Sequence, residues 1–295
     1  MTTHTLESLN SATPSDFTAA LGDIFEHSPW VAEAVSAQRP FATLAALHEA
    51  MTQAVRMVPA DAQLLLIKAH PDLGGKAVRA GTLTADSTHE QASAGLDRLS
   101  ETEFARFHQL NNAYQAKFGF PFIVSVRRHS KDSILRQFER RLTHSAADER
   151  ETALTEIFRI AALRLDLRVQ APDKFKLSGR LSTHVLDVHA GKPAEGVGLE
   201  LFEISDAGEG RLLLRGVTNR DGRTDAPLIA ERPVPIGTYE LRFAVAPYYA
   251  ARGVALADPP FLNVVPIRFA VSEPEGHYHV PLVVSPWSYS TYRGS

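Results

Sequence analysis

The protein has 295 residues, of which 44% are apolar and 22% are charged, and it carries a net charge of -3 and no cysteine. This length accommodates two domains that each bury a core, and the composition is that of a globular protein. The lack of cysteine excludes disulfides, thiolate zinc sites and cysteine nucleophiles, and it agrees with a reducing compartment. The charge pattern has no basic stripe, which argues against nucleic acid as a partner.

The sequence contains no segment typical of membrane insertion or secretion. No stretch reaches the eighteen or so uncharged apolar residues that a membrane-spanning helix needs. Residues 1–17, MTTHTLESLNSATPSDF, lack the basic and then apolar segments of a secretory signal. These features predict a cytoplasmic protein with no membrane partner.

Up to about residue 168 the apolar residues recur with helical spacing. One stripe, at steps of three and four, consists of Leu154, Ile157, Phe158, Ala161 and Leu165. Such a stripe is typical of a helix that packs on a core. Ser100 and Glu103 have the spacing of a capping box, which predicts the start of another helix. We therefore predict an all-α helical bundle for residues 1–168.

After residue 168 the pattern of the chain changes. Residues 169–177 combine charge and proline with little periodicity, which predicts a linker. From residue 178 to 295, short apolar or alternating segments are separated by turn sequences such as NRDG, PIG and EPEG. So many short strands predict an all-β sandwich, and the whole chain is then multidomain.

Histidines are the first candidate functional residues of the predicted sandwich. His277 and His279 are two residues apart on a predicted strand, so their side chains project from the same face. Taken alone, such a pair is equally compatible with the solvent side of an edge strand. His184 lies on another predicted strand, and Arg223 follows a turn, where functional residues are common. Three histidines can bind zinc, or they can act without metal as base and proton relay.

The sequences LSTHVLD, GKPA, TNRDGR and HYHVPLVVSPWSYSTYRGS resemble the transthyretin-related 5-hydroxyisourate hydrolases over residues 178–295. The resemblance implies a homotetramer formed through this domain, with active sites at subunit contacts and no cofactor. It also implies a cleft that contains five catalytic residues and a neighbouring substrate-binding histidine. These residues are His184, Arg223, His279, Tyr292 and Ser295, with His277 beside them.

The implied hydrolysis uses a histidine as the base that activates water against a ring carbonyl carbon of the substrate. Arg223 would hold the urate-like oxygens and stabilise the charge that develops there. A sandwich that only binds an aromatic ligand would not need this combination of residues. A zinc-dependent hydrolase of another cyclic amide is the stronger alternative, with the three histidines as ligands.

A second group of candidate residues lies in the helical part. Pro71 disfavours helical backbone at His70, so a helix should end there and leave the imidazole at its end. Ser87 and Glu90 have capping-box spacing, and spacing alone favours Glu90 as a helix cap over a catalytic group. Arg164 lies on the apolar stripe of the last helix. It therefore predicts either a salt bridge to another helix or a contact with a carboxylate of a ligand.

The sequences AHPDLGGKA, GTLTADSTHEQASAGL, NNAYQAKFGFPFIVSV and EIFRIAALRL resemble the decarboxylases of 2-oxo-4-hydroxy-4-carboxy-5-ureidoimidazoline (OHCU) over about residues 10–168. The resemblance implies that His70 and Glu90 are catalytic. It also implies that the substrate is bound by Pro71, Ser87, Gln91, Phe122, Ile123, Val124, Ser125, Val126 and Arg164. LGGK in place of LAGK and His144 in place of asparagine depart from the family pattern outside these residues.

OHCU is the product of the hydrolase, so the two resemblances together imply a bifunctional enzyme. Its substrates would be 5-hydroxyisourate and OHCU, its product (S)-allantoin, and neither step would need a cofactor or a metal. Loss of carbon dioxide leaves electron density that backbone N–H groups near Phe122 to Val126 would stabilise. Glu90 would hold the imidazole of His70 in the required tautomer or contact the substrate.

Overall fold

The computed structural model describes residues 3–75 and 83–294. The chain divides into two compact units, the first formed by Met1–Arg127 and Ile134–Lys176, the second by Arg128–Ser133 and Leu177–Ser295. Each unit has its own cluster of buried apolar side chains. Within the described ranges, no helix has the length and apolar character needed to cross a membrane.

The first unit is helical. Its described helices are α1 (Leu6–Ser11), α2 (Pro14–Leu21), α3 (Trp30–Val35), α4 (Leu44–Met57), α5 (Ala60–Lys68), α6 (Ala85–Ser93), α7 (Glu101–Phe118), α8 (Lys131–Arg141) and α9 (Ala146–Arg168). Two short strands, β1 (His4–Thr5) and β2 (Val169–Gln170), form a parallel pair. This pair joins the segment before α1 to the end of α9.

Two local predictions for the helical unit are confirmed. All five apolar residues of the predicted stripe are buried in α9. Ser100 and Glu103 form the capping box at the start of α7, since each side chain accepts the backbone N–H of the other, at 3.2 and 2.7 Å. Both features depend on neighbouring residues only, which is why the sequence was sufficient to predict them.

Residues 169–175, which the sequence places in a linker, contact the helical unit. Residues 169–170 form β2, and the side chain of Phe175 packs against the helical core. The carboxylate of Asp173 accepts the N–H of Leu44 at 2.9 Å, at the start of α4. This bond joins residues that are 129 positions apart, so no local pattern could have indicated it.

The second unit is a sandwich of two β-sheets, as predicted. Its strands are β3 (Gly179–Asp187), β4 (Lys192–Pro193), β5 (Gly198–Ile204), β6 (Gly210–Val217), β7 (Ile229–Arg232), β8 (Gly237–Ala244), β9 (Val264–Val271), β10 (His277–Val284) and β11 (Tyr289–Thr291). One sheet has the order β11-β10-β3-β4, with β7 also paired to β3, and the other has the order β6-β5-β8-β9. A short helix, α10 (Val245–Ala250), follows β8.

Strands β3 and β10 run parallel, and their register brings His279 opposite Ser182. Leu181 and Val185 of β3 are fully buried in the sandwich core. Because side chains alternate along a strand, Ser182 and His184 lie on the other face of this sheet, together with His279. The predicted histidines are therefore gathered on the outer face of one sheet.

The helical unit contains a buried ion pair between Arg141 of α8 and Glu149 of α9. Arg141 Nε donates to Glu149 Oε1 at 2.8 Å, and the hydroxyl of Tyr114 donates to the same carboxylate. Arg141 Nη1 also donates to the carbonyl oxygen of Ile123 at 2.6 Å. A buried carboxylate needs such partners because it has lost its hydration.

Replacement of Arg141 by alanine should lower the free energy of unfolding of the helical unit by about 3 to 5 kcal/mol, since Glu149 would remain buried without its partner. Arg56→Ala is the matched control. It removes an ion pair with Glu151 in which the side chains are 43% and 56% exposed, and should cost less than about 1 kcal/mol. Urea unfolding followed by far-UV circular dichroism measures both values, and equal losses would contradict the prediction.

Candidate active sites

A small cavity lies in the helical unit, between the end of α5, helices α6 and α9, and the segment before α8. Ten of the eleven residues that the sequence predicts for this unit line the cavity. They are His70, Pro71, Ser87, Glu90, Gln91, Phe122, Ile123, Val124, Val126 and Arg164. The eleventh, Ser125, is buried beside it. Residues far apart in the sequence therefore meet at one site.

His70 follows the C-terminal end of α5, as Pro71 predicts. Its Nδ1 lies 3.0 Å from the carbonyl oxygen of Leu66. A carbonyl can only accept, so Nδ1 carries the proton of the neutral ring and Nε2 is unprotonated. The carbonyl of Leu66 therefore selects the tautomer of His70. Of the two roles expected of Glu90, contact with the substrate stays a prediction.

The imidazole of His70 is neutral near neutral pH. Burial lowers the pKa of His70 to about 4, and the positive charge of Arg164 contributes to this decrease. The negative charge of Glu26 and the bond to the Leu66 carbonyl oppose it. In this state Nε2 is a proton acceptor in a ring that lines the cavity.

The interpretation of Glu90 as a helix cap is wrong. Thr84 is the N-cap of α6, and its hydroxyl accepts the N–H of Ser87. Glu90 instead forms a two-point ion pair with Arg164, with Nε to Oε1 at 2.8 Å and Nη2 to Oε2 at 2.9 Å. The spacing of Ser87 and Glu90 fits a capping box, but the helix begins before both of them. For Arg164, the predicted salt bridge to another helix is confirmed.

Glu26 is a site residue that the sequence analysis missed. It is 2% exposed and lies in the segment after α2. Its Oε2 is 2.8 Å from Arg164 Nη1, and its Oε1 accepts the hydroxyls of Thr84 at 2.6 Å and Ser87 at 3.0 Å. Burial raises the pKa of Glu26, but Arg164 and the bond from Thr84 outweigh this effect and lower it overall. The only sequence signal is an acidic residue directly after the apolar residues 24–25.

The segment from Phe122 to Val126 is held in place by two charged side chains that do not line the cavity. Arg141 donates to the carbonyl of Ile123, and its guanidinium lies 4.4 Å from the ring centre of Phe122. The N–H of Ser125 donates to Glu156 Oε2 at 2.8 Å. The N–H of Ser125 is therefore not available to stabilise charge on the substrate. The backbone donors expected for that purpose would have to be other N–H groups of the same segment.

Gln91 connects α6 to the loop after His70. Its side-chain oxygen accepts the N–H of Gly74 at 2.9 Å, and its side-chain nitrogen donates to the carbonyl of Asp72 at 3.3 Å. Asn111 of α7 donates to the carbonyl of Leu73 at 2.9 Å. These bonds fix the backbone that follows the catalytic candidate, so Gln91 has a structural role in addition to its place in the cavity wall.

The second candidate site lies on the outer face of the sheet that contains β3 and β10. The hydroxyl of Ser182 is 3.0 Å from His279 Nδ1 and 3.2 Å from His277 Nε2. The centres of the two imidazole rings are 6.4 Å apart. Strand β10 pairs with β3 along its whole length, whereas β11 pairs only with Leu282–Val284. Both histidines thus lie on the outer face of the sheet, near the end of β10 that β11 does not cover.

His184 and Arg223 extend this cluster. Burial and the charge of Arg223 lower the pKa of His184, against the opposing effect of a hydrogen bond to the Asp221 carbonyl. Burial, Arg223 and His184 also lower the pKa of His279. The Nε2 atom of His184 is buried and has no hydrogen-bond partner among residues 3–75 and 83–294. The positive charge of Arg223 thus favours the neutral form of both His184 and His279.

The end of the described chain lies beside His279. The N–H of Gly294 donates to the carbonyl of His279 at 2.9 Å, in an antiparallel bridge that follows β11. Alternation along this segment places Tyr292, which is 57% exposed, on the same face as Gly294. Ser295, the remaining predicted catalytic residue, lies outside the described residues.

The alternative of a three-histidine zinc site has no geometric support. No group of three or more histidine or acidic side chains in the described part of the chain could hold a metal ion. His277 and His279 share the hydroxyl of Ser182, whereas His184 is bonded to a backbone carbonyl. The ring of His184 thus has a different partner from the other two.

The imidazole of His70 should titrate near pH 4 in the free protein, well below the ordinary 6.5. Between these two values the unfolded chain binds more protons than the folded one. The stability contributed by the neutral ring is therefore present above pH 6.5 and is lost as the pH falls through this window. Imidazole NMR, with His70→Gln to assign the resonance, measures the pKa. Titration at the ordinary value would contradict the burial argument.

Comparisons with known proteins agree with this division of the chain. The family model of the OHCU decarboxylases matches residues 10–166, and that of the HIUase/transthyretin family matches residues 181–294. The OHCU decarboxylase of Halalkalicoccus jeotgali is 44% identical over 166 residues, which are 56% of this chain and 92% of that protein. The 5-hydroxyisourate hydrolase of Halalkalibacterium halodurans is 51% identical over 119 residues, which are 40% of this chain and 100% of that protein.

A solved structure is similar over both parts of the chain. The crystal structure of (S)-allantoin synthase is 36% identical in sequence, with a TM-score of 0.50, and the match covers 99% of this chain and 100% of that one. The chain therefore belongs to the OHCU decarboxylase family in its helical part and to the HIUase/transthyretin family in its β-sandwich.

Proposed function

We propose that the protein is a bifunctional enzyme that hydrolyses 5-hydroxyisourate to OHCU and decarboxylates OHCU to (S)-allantoin. Hydrolysis takes place at the histidine cluster of the sandwich, and decarboxylation in the cavity of the helical unit. The observation that carries the proposal is that ten of the eleven residues expected for the decarboxylase line one cavity. The chain belongs to one family in each of its two parts, which supports decarboxylation in the N-terminal part and hydrolysis in the C-terminal part.

We propose residues 1–168 as an all-α decarboxylase domain, 169–177 as a linker and 178–295 as the hydrolase domain. The pair of β1 and β2 is too short to change this class, since each strand has two residues. Residues 169–175 contact the helical unit, so the first part of this linker is packed against that unit and is not a free connection. The cytoplasmic location stays a prediction.

In the decarboxylation, the bond to the departing carboxylate breaks and its electron pair forms a double bond to the neighbouring ring carbon that bears the ureido group. His70 is the proton carrier. Its Nε2 takes up the proton of the substrate hydroxyl, which becomes a carbonyl, and delivers it to that neighbouring carbon after carbon dioxide has left. Delivery from one fixed side gives one enantiomer of allantoin. No cofactor is part of this scheme.

Arg164 contributes to the binding of the anionic substrate. Its ion pairs are with Glu90 and Glu26, at N–O distances of 2.8 to 2.9 Å. A longer contact of 3.4 Å joins Arg164 Nη2 to the hydroxyl of Ser87, which also lines the cavity. This contact is the most easily exchanged for a carboxylate of the substrate. Glu90 then stays in place beside the bound molecule, held by Arg164.

In the hydrolysis, His184 and His279 supply the base that activates water. Their lowered pKa values keep them unprotonated near neutral pH, as a base requires. Arg223 binds the substrate oxygens and stabilises the negative charge that grows on the attacked carbonyl. His277 and Tyr292 complete the wall of the cleft, and we propose the same role for Ser295.

We propose a homotetramer that forms through the sandwich. Aromatic side chains are exposed near the end of the chain, in β11 and on both sides of it: Trp287, Tyr289 and Tyr292. Exposed aromatic residues are enriched at protein–protein interfaces. A subunit contact at the end of the chain would cover these side chains and, on the face of Tyr292, enclose a histidine cluster that is open in the single chain.

Gly294→Ala should reduce hydrolase activity on the order of a hundredfold, because a Cβ atom would lie 2.6 Å from His279 Cδ2 and displace the ring. The matched control is Gly198→Ala in β5, where a Cβ atom would meet Ala244 at an ordinary 3.7 Å. The rate of 5-hydroxyisourate disappearance, followed by absorbance, measures both variants. Normal hydrolysis by Gly294→Ala would contradict the placement of the terminal segment.

His70→Ala should reduce decarboxylation about a hundredfold or more and abolish its stereoselectivity, since the proton carrier is lost. Freshly prepared 5-hydroxyisourate is the substrate, with absorbance to follow hydrolysis and circular dichroism to follow the formation of one allantoin enantiomer. Hydrolysis should stay near normal because His70 belongs to the other unit. An equal loss of both activities would indicate a shared site or a folding defect.

A further inference from the structure

Glu26 contacts Arg164 but does not itself line the decarboxylase cavity. Arg164 lines that cavity, whereas Glu26 faces a separate neighbouring space together with Thr84. The carboxylate of Glu26 is nevertheless joined to Arg164 and to the hydroxyl of Ser87, both of which line the cavity. Glu26 can therefore influence the reacting groups without contacting the substrate.

The stability of the ion pair alone does not explain Glu26. Glu90 already binds the guanidinium of Arg164 through two bonds and neutralises its charge. A second buried carboxylate adds a further cost of lost hydration. Because His70 is neutral, one positive and two negative charges leave this cluster with a net charge of about -1. The excess negative charge is available to stabilise a cation.

Among residues 3–75 and 83–294, the charged and titratable groups that act on His70 or line its cavity are Glu26, His27, Glu90 and Arg164, from the segment after α2 and from helices α6 and α9. The charge of Glu26 favours the protonated form of His70, whereas Arg164 and His27 disfavour it. Glu90 is engaged by Arg164 through both of its oxygens. Glu26 is thus the carboxylate that offsets the repulsion between Arg164 and a protonated His70.

We propose that Glu26 is a positioning residue of the decarboxylase: it holds Arg164 and Ser87 in place and supplies the negative charge that allows His70 to be protonated during the reaction. This inference rests on the proposed function, in which His70 carries the proton of the substrate hydroxyl to a ring carbon. When Nε2 takes up this proton, the ring becomes a buried cation. Glu26 stabilises that cation until the proton passes to the ring carbon that bears the ureido group.

Glu26→Gln tests the proposal, because it keeps an oxygen acceptor and removes the charge. The acidic limb of the kcat–pH profile, below which His70 is already protonated, should move to lower pH, since the ring binds its proton less tightly. On the plateau above that limb, kcat should fall about tenfold for each unit of the shift, because the protonated ring that forms during the reaction is less stable. KM should change much less, because Glu26 does not line the cavity. Hydrolase activity of the same variant is the internal control.

Glu26→Asp is the matched variant that keeps the charge, and its acidic limb should stay at the wild-type position. A wild-type profile and kcat in Glu26→Gln, with only a lower melting temperature, would show a structural role and overturn the proposal. If Glu26→Gln does not fold, Glu26→Asp decides: a limb displaced to lower pH despite the retained charge overturns it. A wild-type protein that hydrolyses 5-hydroxyisourate but does not accelerate decarboxylation would instead overturn the proposed function.

Discussion

The ion pairs of Arg164 determine how the decarboxylase cavity is built. A guanidinium that points with the apolar stripe of α9 is buried, and it is stable there only if carboxylates surround it. Glu90 of α6 and Glu26 of the segment after α2 meet this requirement. The ion pairs of Arg164 thus hold the segment after α2, helix α6 and helix α9 together. Helices α6 and α9 form the side of the cavity that lies next to His70.

The two sites lower the proton affinity of their histidines by different means. In the helical unit, burial dominates the pKa of His70, and the field of an ion cluster modifies it. In the sandwich, His184 and His279 lie on a sheet face where Arg223 acts on both rings and burial is only partial. The first arrangement suits chemistry that excludes water. The second suits a reaction in which water is the nucleophile.

The sequence predicted features that neighbouring residues determine, such as the capping box at Ser100 and the strand that carries His277 and His279. It did not reveal features that depend on distant partners. Spacing alone favoured a helix cap for Glu90, because its partner Arg164 is 74 positions away. Glu26 was missed because its partners lie 58 or more positions away, and no periodicity links them. The family resemblance identified the residues that line the cavity. The hydrogen bonds and ion pairs among them could be seen only in the folded structure.

The parallel pairing of β3 with β10 has a consequence for how the hydrolase site is assembled. A single ladder sets the positions of His184, His277 and His279 relative to Ser182. Because side chains alternate, a slip of β10 by one residue would turn both of its histidines into the core and bring Tyr278 and Val280 to the surface. The catalytic cluster therefore exists only in one register, and hydrolase activity is a direct report of correct strand pairing during folding.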